Sequence, residues 1–466
     1  MPNQRKSPPP IVYILLLLSL ASGGYWFSNS KKLNSDLAVA KGSSQPELGG
    51  SISDRASSGG KMLITAEATP QKQAGVQAFA AGDYATAAAQ FQASLQKYRN
   101  DPETLIYLNN ARVANSNAVK IAVSVPIGSN LNVAQEILRG VAQAQDEVNR
   151  RGGINGSLLQ VEIANDDNDP QIARQIAEQF VKESQVLAVV GHNASSASLA
   201  AAPVYQQGKL VMMTPTSSAQ ELTGFGDYIF RAVPSYRFQA DALAHHIVQR
   251  ENKTKIAICF DGNAPEKTIF RDAFASAMYA VGGKIASTAC DFSAPGFNPQ
   301  TAIAAAVADG ADGVLLVPHI DRFDPAIALA QANKGRLPLY GNSTLYTFKT
   351  LQFGQRDVNR LVLTVPWHPQ ANSGDGFPDR ANQLWGGSVN WRSAIAYDAT
   401  QALIAGLRQA NTRSQLQQVL RKPEFQAQGT AGPIQFLPSG DRVGTAVLVQ
   451  VQPGAKSGYD FVPISP

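Results

Sequence analysis

The stretch LAVVGHNASSAS, Leu187–Ser198, decides the fold because an apolar run in it gives way to small polar residues. The run LAVV is typical of a strand buried on both faces, as in a parallel sheet covered by helices. Gly191 ends that strand, and the polar residues that follow are Asn193, Ser195, Ser196 and Ser198. They precede an apolar segment with helical spacing, so we place them at a helix N-terminus, where free N–H groups and the helix dipole favour an anion.

A second cluster of hydroxyl residues follows the next apolar run, Leu210–Thr214. It comprises Thr216, Ser217 and Ser218. Because ligands of open α/β sheets bind at the carboxyl ends of the strands, the two clusters together predict a ligand crevice. Capping of the helix by serine is the alternative explanation of the first cluster.

Composition and charge exclude several classes of protein. With 466 residues, of which 44% are hydrophobic and 16% charged, the chain is a globular protein large enough for more than one core. The net charge of +5 comes without a basic run, which argues against nucleic-acid binding. The cysteines, Cys259 and Cys290, form no CxxC motif, and we expect two buried thiols in preference to a disulfide.

An acidic cluster, Asp166–Asp169, raises the question of a metal site. Pro170 stands where a calcium-binding loop needs its glycine, so we expect Asp169 to cap a helix that starts at Pro170. We predict no metal and no cofactor. The sequence also lacks the GxSxG, HExxH and Walker motifs of common enzyme classes, so we expect a protein that is not an enzyme.

Residues 1–28 have the pattern of a membrane anchor or a signal peptide. Arg5 and Lys6 precede the hydrophobic run Ile11–Leu20, an order typical of a segment whose N-terminus stays in the cytoplasm. We favour an uncleaved anchor, because no clear cleavage site follows the run. The rest of the chain would then lie outside the cytoplasm, and residues 29–70, rich in Ser, Gly and Ala, would form a flexible linker.

Residues 71–117 have the spacing of a helical hairpin. The stretch Val76–Ala114 resembles a tetratricopeptide repeat, and the residues at the packing positions of that repeat are Phe79, Gly82, Tyr84, Ala88, Phe91 and Pro102. An ordinary helical hairpin is the alternative, because such arrays normally need about three repeats to be stable alone. We therefore expect this segment to pack on a neighbouring domain.

From Lys120 onward, apolar strands alternate with amphipathic helices, and the alternation restarts after Pro234. Two consecutive doubly wound sheets predict an α/β fold of two lobes with a hinge and a cleft between them. We assign residues 119–236 and 366–430 to lobe 1, and residues 237–365 and 431–466 to lobe 2.

Four stretches carry a family resemblance: GGINGSLLQVEIANDDNDP, GHNASSASLAAAPVYQQGKLVMMTPTSSAQELT, YIFRAVPS and GTAGPIQFLPSGDR. In this order they closely resemble the branched-chain amino acid and amide binding proteins of ABC transporters, which have the periplasmic-binding-protein type I fold. The resemblance covers about Val119–Val451. It implies that the carboxylate of a solute between the lobes is held by Ser195, Thr216 and Ser218. The predicted lobe 1 site also includes Asn193, Ser196 and Ser217.

Lobe 2 departs from the family pattern. Where the family commonly has a tyrosine this sequence has Pro265, and where it has an acidic residue this sequence has Ser343. His319 stands near the place of another aromatic residue. A buried ammonium group without a carboxylate is costly, so we expect common branched-chain amino acids to bind poorly unless Asp261 or Asp321 compensates the charge. A role as cap or turn residue explains each aspartate more readily. The predicted lobe 2 site is Asp261, His319 and Ser343.

These patterns predict an extracytoplasmic solute receptor of an ABC-type transporter, which closes two lobes around an amino acid, an amide or a carboxylate. The expected partner is a membrane permease or sensor, and the expected location is the periplasm. The alternative is a non-transport envelope sensor or scaffold of the same fold, in which the helical repeat binds another protein.

Overall fold

The computed structural model describes residues 52–465 except 67, 115–116, 320–321, 372–375, 445 and 455–457, and only the backbone at 265–267. The predicted anchor, residues 1–28, and Asp321 lie outside the described residues, as does the predicted linker up to residue 51. No helix in the described part of the chain is both long and apolar enough to span a membrane.

Helices alternate with strands along most of the described chain. The helices are α1 (Pro70–Ala80), α2 (Tyr84–Lys97), α3 (Pro102–Val113), α4 (Leu131–Arg150), α5 (Pro170–Lys182), α6 (Ser195–Gln207), α7 (Tyr236–His245), α8 (Pro265–Ala280), α9 (Pro299–Ala308), α10 (Phe323–Asn333), α11 (Phe348–Gly354), α12 (Phe377–Trp385), α13 (Trp391–Leu407) and α14 (Arg413–Leu420). The strands are β1 (Ala56–Ser57), β2 (Ala118–Val125), β3 (Leu158–Asn165), β4 (Val186–Val190), β5 (Val211–Thr214), β6 (Ile229–Arg231), β7 (Lys255–Phe260), β8 (Lys284–Ile285), β9 (Cys290–Asp291), β10 (Gly313–Val317), β11 (Leu339–Gly341), β12 (Val362–Val365), β13 (Ala427–Gly429), β14 (Gly432–Ile434), β15 (Val447–Gly454) and β16 (Gly458–Ile464).

Lobe 1 is built on a sheet with the strand order β1-β3-β2-β4-β5-β6. Its strands pair in parallel except at one edge, where β1 runs antiparallel to β3. Helices between the strands begin at capping side chains: Asn130 accepts a hydrogen bond from the first turn of α4, and Asp169 from that of α5. The prediction that Asp169 caps a helix beginning at Pro170 is confirmed.

Lobe 2 has a sheet with the order β16-β15-β12-β11-β10-β7-β8, and β9 pairs beside β7. Strands β7 to β12 pair in parallel, while β15 and β16 form an antiparallel hairpin against β12. Separate buried cores lie on its two faces. The predicted two-lobed α/β architecture is confirmed.

The chain passes between the lobes at three places, which together form a hinge. The first passage separates Val233, in the lobe 1 core, from Tyr236, in a lobe 2 core. The second separates Val365 from Trp367, which returns to the lobe 1 core. The last follows Phe436, which is still buried in lobe 1. These core contacts favour a later final boundary than residue 430.

The N-terminal helices α1 to α3 are part of the same compact unit as the two lobes. Buried side chains of α3, namely Ile106, Tyr107 and Leu108, belong to the lobe 1 core. Before them in the chain, β1 extends the lobe 1 sheet by pairing with β3. Residues 54–66, which composition places in the linker, therefore lie on lobe 1. A high content of serine and glycine predicts flexibility, but composition does not reveal that a segment pairs through its backbone with an edge strand distant in the sequence.

A buried ion cluster holds this helical segment together. The Nζ atom of Lys72 lies 2.8 Å from Asp101 Oδ2 and 2.7 Å from Glu103 Oε2, and the lysine side chain is almost fully buried. Glu103 also accepts hydrogen bonds from the N–H groups of Leu63 and Ile64. Burial alone would lower the pKa of Lys72, but the two carboxylates outweigh burial and raise it. The cluster thus joins α1 to α3 and to the segment before α1.

The two cysteines form a disulfide, so the expectation of two free thiols is wrong. Cys259 and Cys290 are register partners in the neighbouring strands β7 and β9, with their Cα atoms 4.5 Å apart and their sulfur atoms 2.06 Å apart. That Cα separation lies in the usual range for a disulfide. Because β9 has only two residues, no sequence pattern reveals that it pairs beside β7.

Candidate ligand site

The cleft between the lobes holds a cavity of about 870 Å³. Predicted site residues from both lobes line it: Asn193, Ser195, Ser196, Thr216 and Ser218 from lobe 1, and Asp261, His319 and Ser343 from lobe 2. The structure therefore brings together every predicted site residue except Ser217, and their contact with a ligand stays a prediction. A second cavity of about 880 Å³ adjoins Ala118 and Arg408, and none of the predicted site residues lines it.

The lobe 1 hydroxyls surround the start of α6. Ala194 is the N-cap of this helix and offers no side-chain cap, so the structure does not show the serine capping that was the alternative. Ser217 is buried behind the lining, and its hydroxyl donates to Ser195 Oγ over 3.3 Å. Within the described residues the Ser195 hydroxyl proton has no acceptor. This hydroxyl and the first N–H groups of α6 can therefore bind an anion in the cleft.

Asn193 and Thr216 brace each other at the edge of this group. The Thr216 hydroxyl lies 3.0 Å from the Asn193 carbonyl oxygen and 3.1 Å from its Oδ1 atom, and donates toward them. The Asn193 amide in turn donates to Asn168 Oδ1 over 3.1 Å. These bonds fix the loop after β4 to the loops after β3 and β5, which sets the shape of the lobe 1 wall.

Beneath these hydroxyls lies a buried acid–histidine pair that the sequence analysis did not identify. His192 Nδ1 is 2.6 Å from Asp166 Oδ2, and His192 Nε2 is 3.1 Å from the Tyr205 hydroxyl. Burial would raise the pKa of Asp166, but its hydrogen bond and its electrostatic interaction with His192 outweigh burial and lower that pKa. The pair anchors the turn that presents Ser195. Its sequence signal was an aspartate and a histidine that each closely follow a strand.

Lobe 2 contributes a buried carboxylate with a cation beside it. Asp261 follows β7, and its Oδ1 atom accepts from the N–H of Asn263 over 3.1 Å, which is the turn role expected as the alternative. Its Oδ2 atom lies 3.9 Å from Nε of Arg322. In the described lining of lobe 2, Asp261 is the one carboxylate. A ligand ammonium group would therefore compete with Arg322 for it.

Arg392 was not predicted from the sequence as a site residue, and its surroundings are unusual for a cation. It lies in the first turn of α13, and its guanidinium carbon is 4.5 Å from the centroid of the Trp391 ring. Among the described residues its guanidinium has no hydrogen-bond acceptor and no carboxylate at ion-pair distance. Burial lowers the pKa of Arg392 to about 10, and the nearby Glu136 and Tyr236 offset part of that effect. Sequence shows an arginine in a helix, but it does not show that folding leaves the arginine unpaired.

Further polar groups of the lining also lack partners. Trp391 Nε1 and Gln239 Oε1 are buried and have no hydrogen-bond partner in the described structure. Apolar lining residues complete the walls: Val133, Leu199, Val233 and Ile269. Apolar walls with a few unsatisfied polar groups are typical of a small-molecule site. Across the described residues, no group of His, Cys, Asp or Glu is arranged to hold a metal ion.

Two α/β lobes, a hinge of three passages and a polar cleft define this chain as a two-lobed solute-binding protein. Its residues 118–457 match the family described as "Periplasmic binding protein", and the chain belongs to that family.

Individual relatives agree with this assignment. The chain is 31% identical over 145 residues to the "Amino acid binding protein" of Pseudomonas aeruginosa. The aligned stretch is 31% of this chain and 39% of that protein. It thus spans about two fifths of the length of the curated relatives it matches. One solved structure with a similar fold is a substrate-binding protein of an ABC transporter from Desulfitobacterium hafniense in complex with Leu. The alignment covers 74% of this chain and 100% of that one, with a TM-score of 0.65 and 23% identity. Another is a solute-binding protein from R. palustris in complex with benzoate. That alignment covers 75% of this chain and 98% of that one, with a TM-score of 0.62 and 15% identity. At these identities the structures establish the fold alone.

Proposed function

We propose that this protein is an extracytoplasmic receptor of an ABC-type transporter that closes its lobes around a small polar solute. The observation that carries the proposal is the cleft itself, where the Ser195 hydroxyl and the uncapped start of α6 face residues of the other lobe. The family supports the same role. Of the relatives described above, one is named for amino acid binding, one was solved in complex with Leu and one in complex with benzoate.

The cleft accounts for solute binding in physical terms. A carboxylate or amide oxygen accepts hydrogen bonds from the Ser195 hydroxyl and the α6 N–H groups, while Asp261, His319 and Ser343 approach from lobe 2 when the hinge closes. A ligand that contacts both lobes stabilises the closed form, because it gains those contacts only there. In this proposal a membrane permease recognises the closed form. The receptor lies in the periplasm and is preceded in the chain by its N-terminal anchor or signal.

A second role rests on the helical segment. Its tetratricopeptide resemblance remains a prediction, and helices α1 to α3 share the lobe 1 core. An envelope sensor or scaffold would use this segment to hold a protein partner on lobe 1. We rank it behind the receptor, because a protein-binding role leaves the unsatisfied groups of the cleft without a function.

The experiment is calorimetric titration with amino acids, amides and short carboxylates, preceded by a thermal-shift screen. Ser195→Ala should weaken the binding of a carboxylate by about 1–2 kcal/mol, the scale for a hydrogen bond to a charged group. The control is Thr301→Ala, which removes an exposed hydroxyl in the first turn of α9, outside the cleft lining. Unchanged affinity in the serine variant, with an intact fold, would contradict the assignment of Ser195. Failure of every solute to bind the wild type would leave the scaffold role.

A further inference from the structure

We propose that the solute is a small organic diacid, with one acidic group at the start of α6 and a second that pairs with Arg392. This inference rests on the proposed receptor function and specifies its solute class. It adds to the site a cation that no pattern in the sequence marks as a ligand contact.

Arg392 lacks an anionic partner among the residues that the structure describes. The carboxylate that most favours its charge, that of Glu136, is already bonded to Arg139 over 2.7 Å and to the Ser393 hydroxyl. In the described chain no carboxylate, that of Glu136 included, lies at ion-pair distance from the guanidinium. Arg392 is partly buried, and a partly desolvated cation without an anion is unfavourable, so the cleft favours a ligand with negative charge.

The guanidinium of Arg392 remains able to bind a carboxylate. Stacking on Trp391 occupies one face of the guanidinium plane, but its N–H donors point outward within that plane. A carboxylate can therefore accept two parallel hydrogen bonds at its edge. Trp391 itself is only 5% exposed, and its indole Nε1–H has no acceptor among the described residues. Two neighbouring residues of the lining thus present donors to an acceptor-rich ligand, and the buried donor of Trp391 has no other acceptor among the described residues.

The acidic groups that line the cleft do not require a cationic ligand. Asp167 lies 2.7 Å from Arg55, and Asp261 has Arg322 beside it. Glu221 is exposed to solvent. The charge that remains uncompensated is therefore positive, and a zwitterion would add a second positive group next to it.

Two separate groups of donors in the cleft favour a diacid over a monoacid. The start of α6 and Arg392 belong to different helices, and each offers donors suited to an anion. A solute with one carboxylate satisfies one of them and leaves the other desolvated in the closed cleft. A cavity of about 870 Å³ accommodates a molecule of a few carbon atoms with an acidic group at each end.

The test is calorimetric titration of the full chain with the dicarboxylates from malonate to adipate, with monocarboxylates of equal length, and with leucine. The best dicarboxylate should bind the wild type about 10-fold or more tightly than its matched monocarboxylate. Arg392→Gln should remove this preference while leaving monocarboxylate binding nearly unchanged. The matched control, Arg174→Gln, removes a surface arginine of α5 paired with Glu178 and should change neither affinity. Because an unpaired, partly buried cation is lost, Arg392→Gln should melt at the same temperature as the unliganded wild type or higher.

Each outcome decides a separate question. If a monocarboxylate or leucine binds the wild type as tightly as any dicarboxylate, the diacid inference is overturned and the receptor function stands. If Arg392→Gln keeps the preference for the dicarboxylate, the second anion site lies elsewhere and the assignment of Arg392 fails. If neither acids nor leucine bind the wild type, the inference is overturned, and binding of an amide or other solute then decides whether the receptor function fails with it.

Discussion

Removing the disulfide should destabilise lobe 2 by a calculable amount and leave lobe 1 nearly unaffected. The bond joins Cys259 and Cys290, which are separated by 31 positions, and the closed loop contains α8 and β8. The chain-entropy estimate for a loop of this length is about 3.7 kcal/mol at 25 °C. The variant Cys259→Ala/Cys290→Ala should lose roughly this free energy of unfolding.

Urea unfolding followed by two optical signals separates the lobes. The tryptophans of the described chain, Trp367, Trp385 and Trp391, are buried in the lobe 1 core, so their fluorescence reports on lobe 1. Far-ultraviolet circular dichroism reports on both lobes. We expect the double variant to shift the dichroism transition to lower urea and the fluorescence transition much less. Wild-type protein reduced with a thiol is the control and should behave like the variant. A loss below about 1 kcal/mol, or an equal shift of both signals, would refute the reasoning.

Further predictions concern the core and its titrating groups. Lys72→Met leaves two carboxylates buried without their cation and should cost about 3–5 kcal/mol in urea unfolding; a loss below about 1 kcal/mol would contradict the role of the cluster. Asp441→Asn removes the partner 2.6 Å from the buried Arg231 and should cost a similar amount, whereas an unchanged midpoint would show that other groups compensate the arginine. Burial lowers the pKa of His368 from 6.5 to about 4, so on acidification the unfolded chain binds this proton at a higher pH than the folded chain does. The free energy of unfolding should therefore fall as the pH is lowered from 6.5 to 4, and His368→Gln should reduce that fall. A fragment of residues 118–466 lacks α3 and should bind a hydrophobic dye and show little cooperative unfolding by tryptophan fluorescence, which reports on lobe 1; a sharp fluorescence transition in that fragment would show that lobe 1 needs no helical segment.

Local patterns predicted the elements that present the site, because each depends on residues close together in the chain. The apolar run before Gly191 gave β4, and the small polar residues after it gave the start of α6. Gly191 itself shows how local this information is. Its φ of 142° is a conformation that favours glycine, and a Cβ atom there would lie 2.7 Å from the Ser124 carbonyl oxygen. Capping at Asp169 was predicted for the same reason.

Features that depend on distant parts of the chain could not be predicted. The pairing of β1 with β3 joins segments far apart in sequence, and two residues are too few to carry a strand pattern. The disulfide depends on β9 lying beside β7. Arg392 stands out only through the absence of a partner, which is a property of the folded surroundings and not of the residue. Sequence therefore indicated where the proposed ligand site lies but missed the positive charge to which our proposal assigns the choice of solute.

The fusion of α3 with the lobe 1 core has a practical consequence for measuring solute binding. Because α1 to α3 move with lobe 1, a fluorescent label on α2 follows that lobe without touching the cleft. A second label on the outer hairpin β15–β16 follows lobe 2. Energy transfer between the two labels would then respond to a change in the angle between the lobes. The doubly labelled protein would in this way report the binding of its solute by fluorescence.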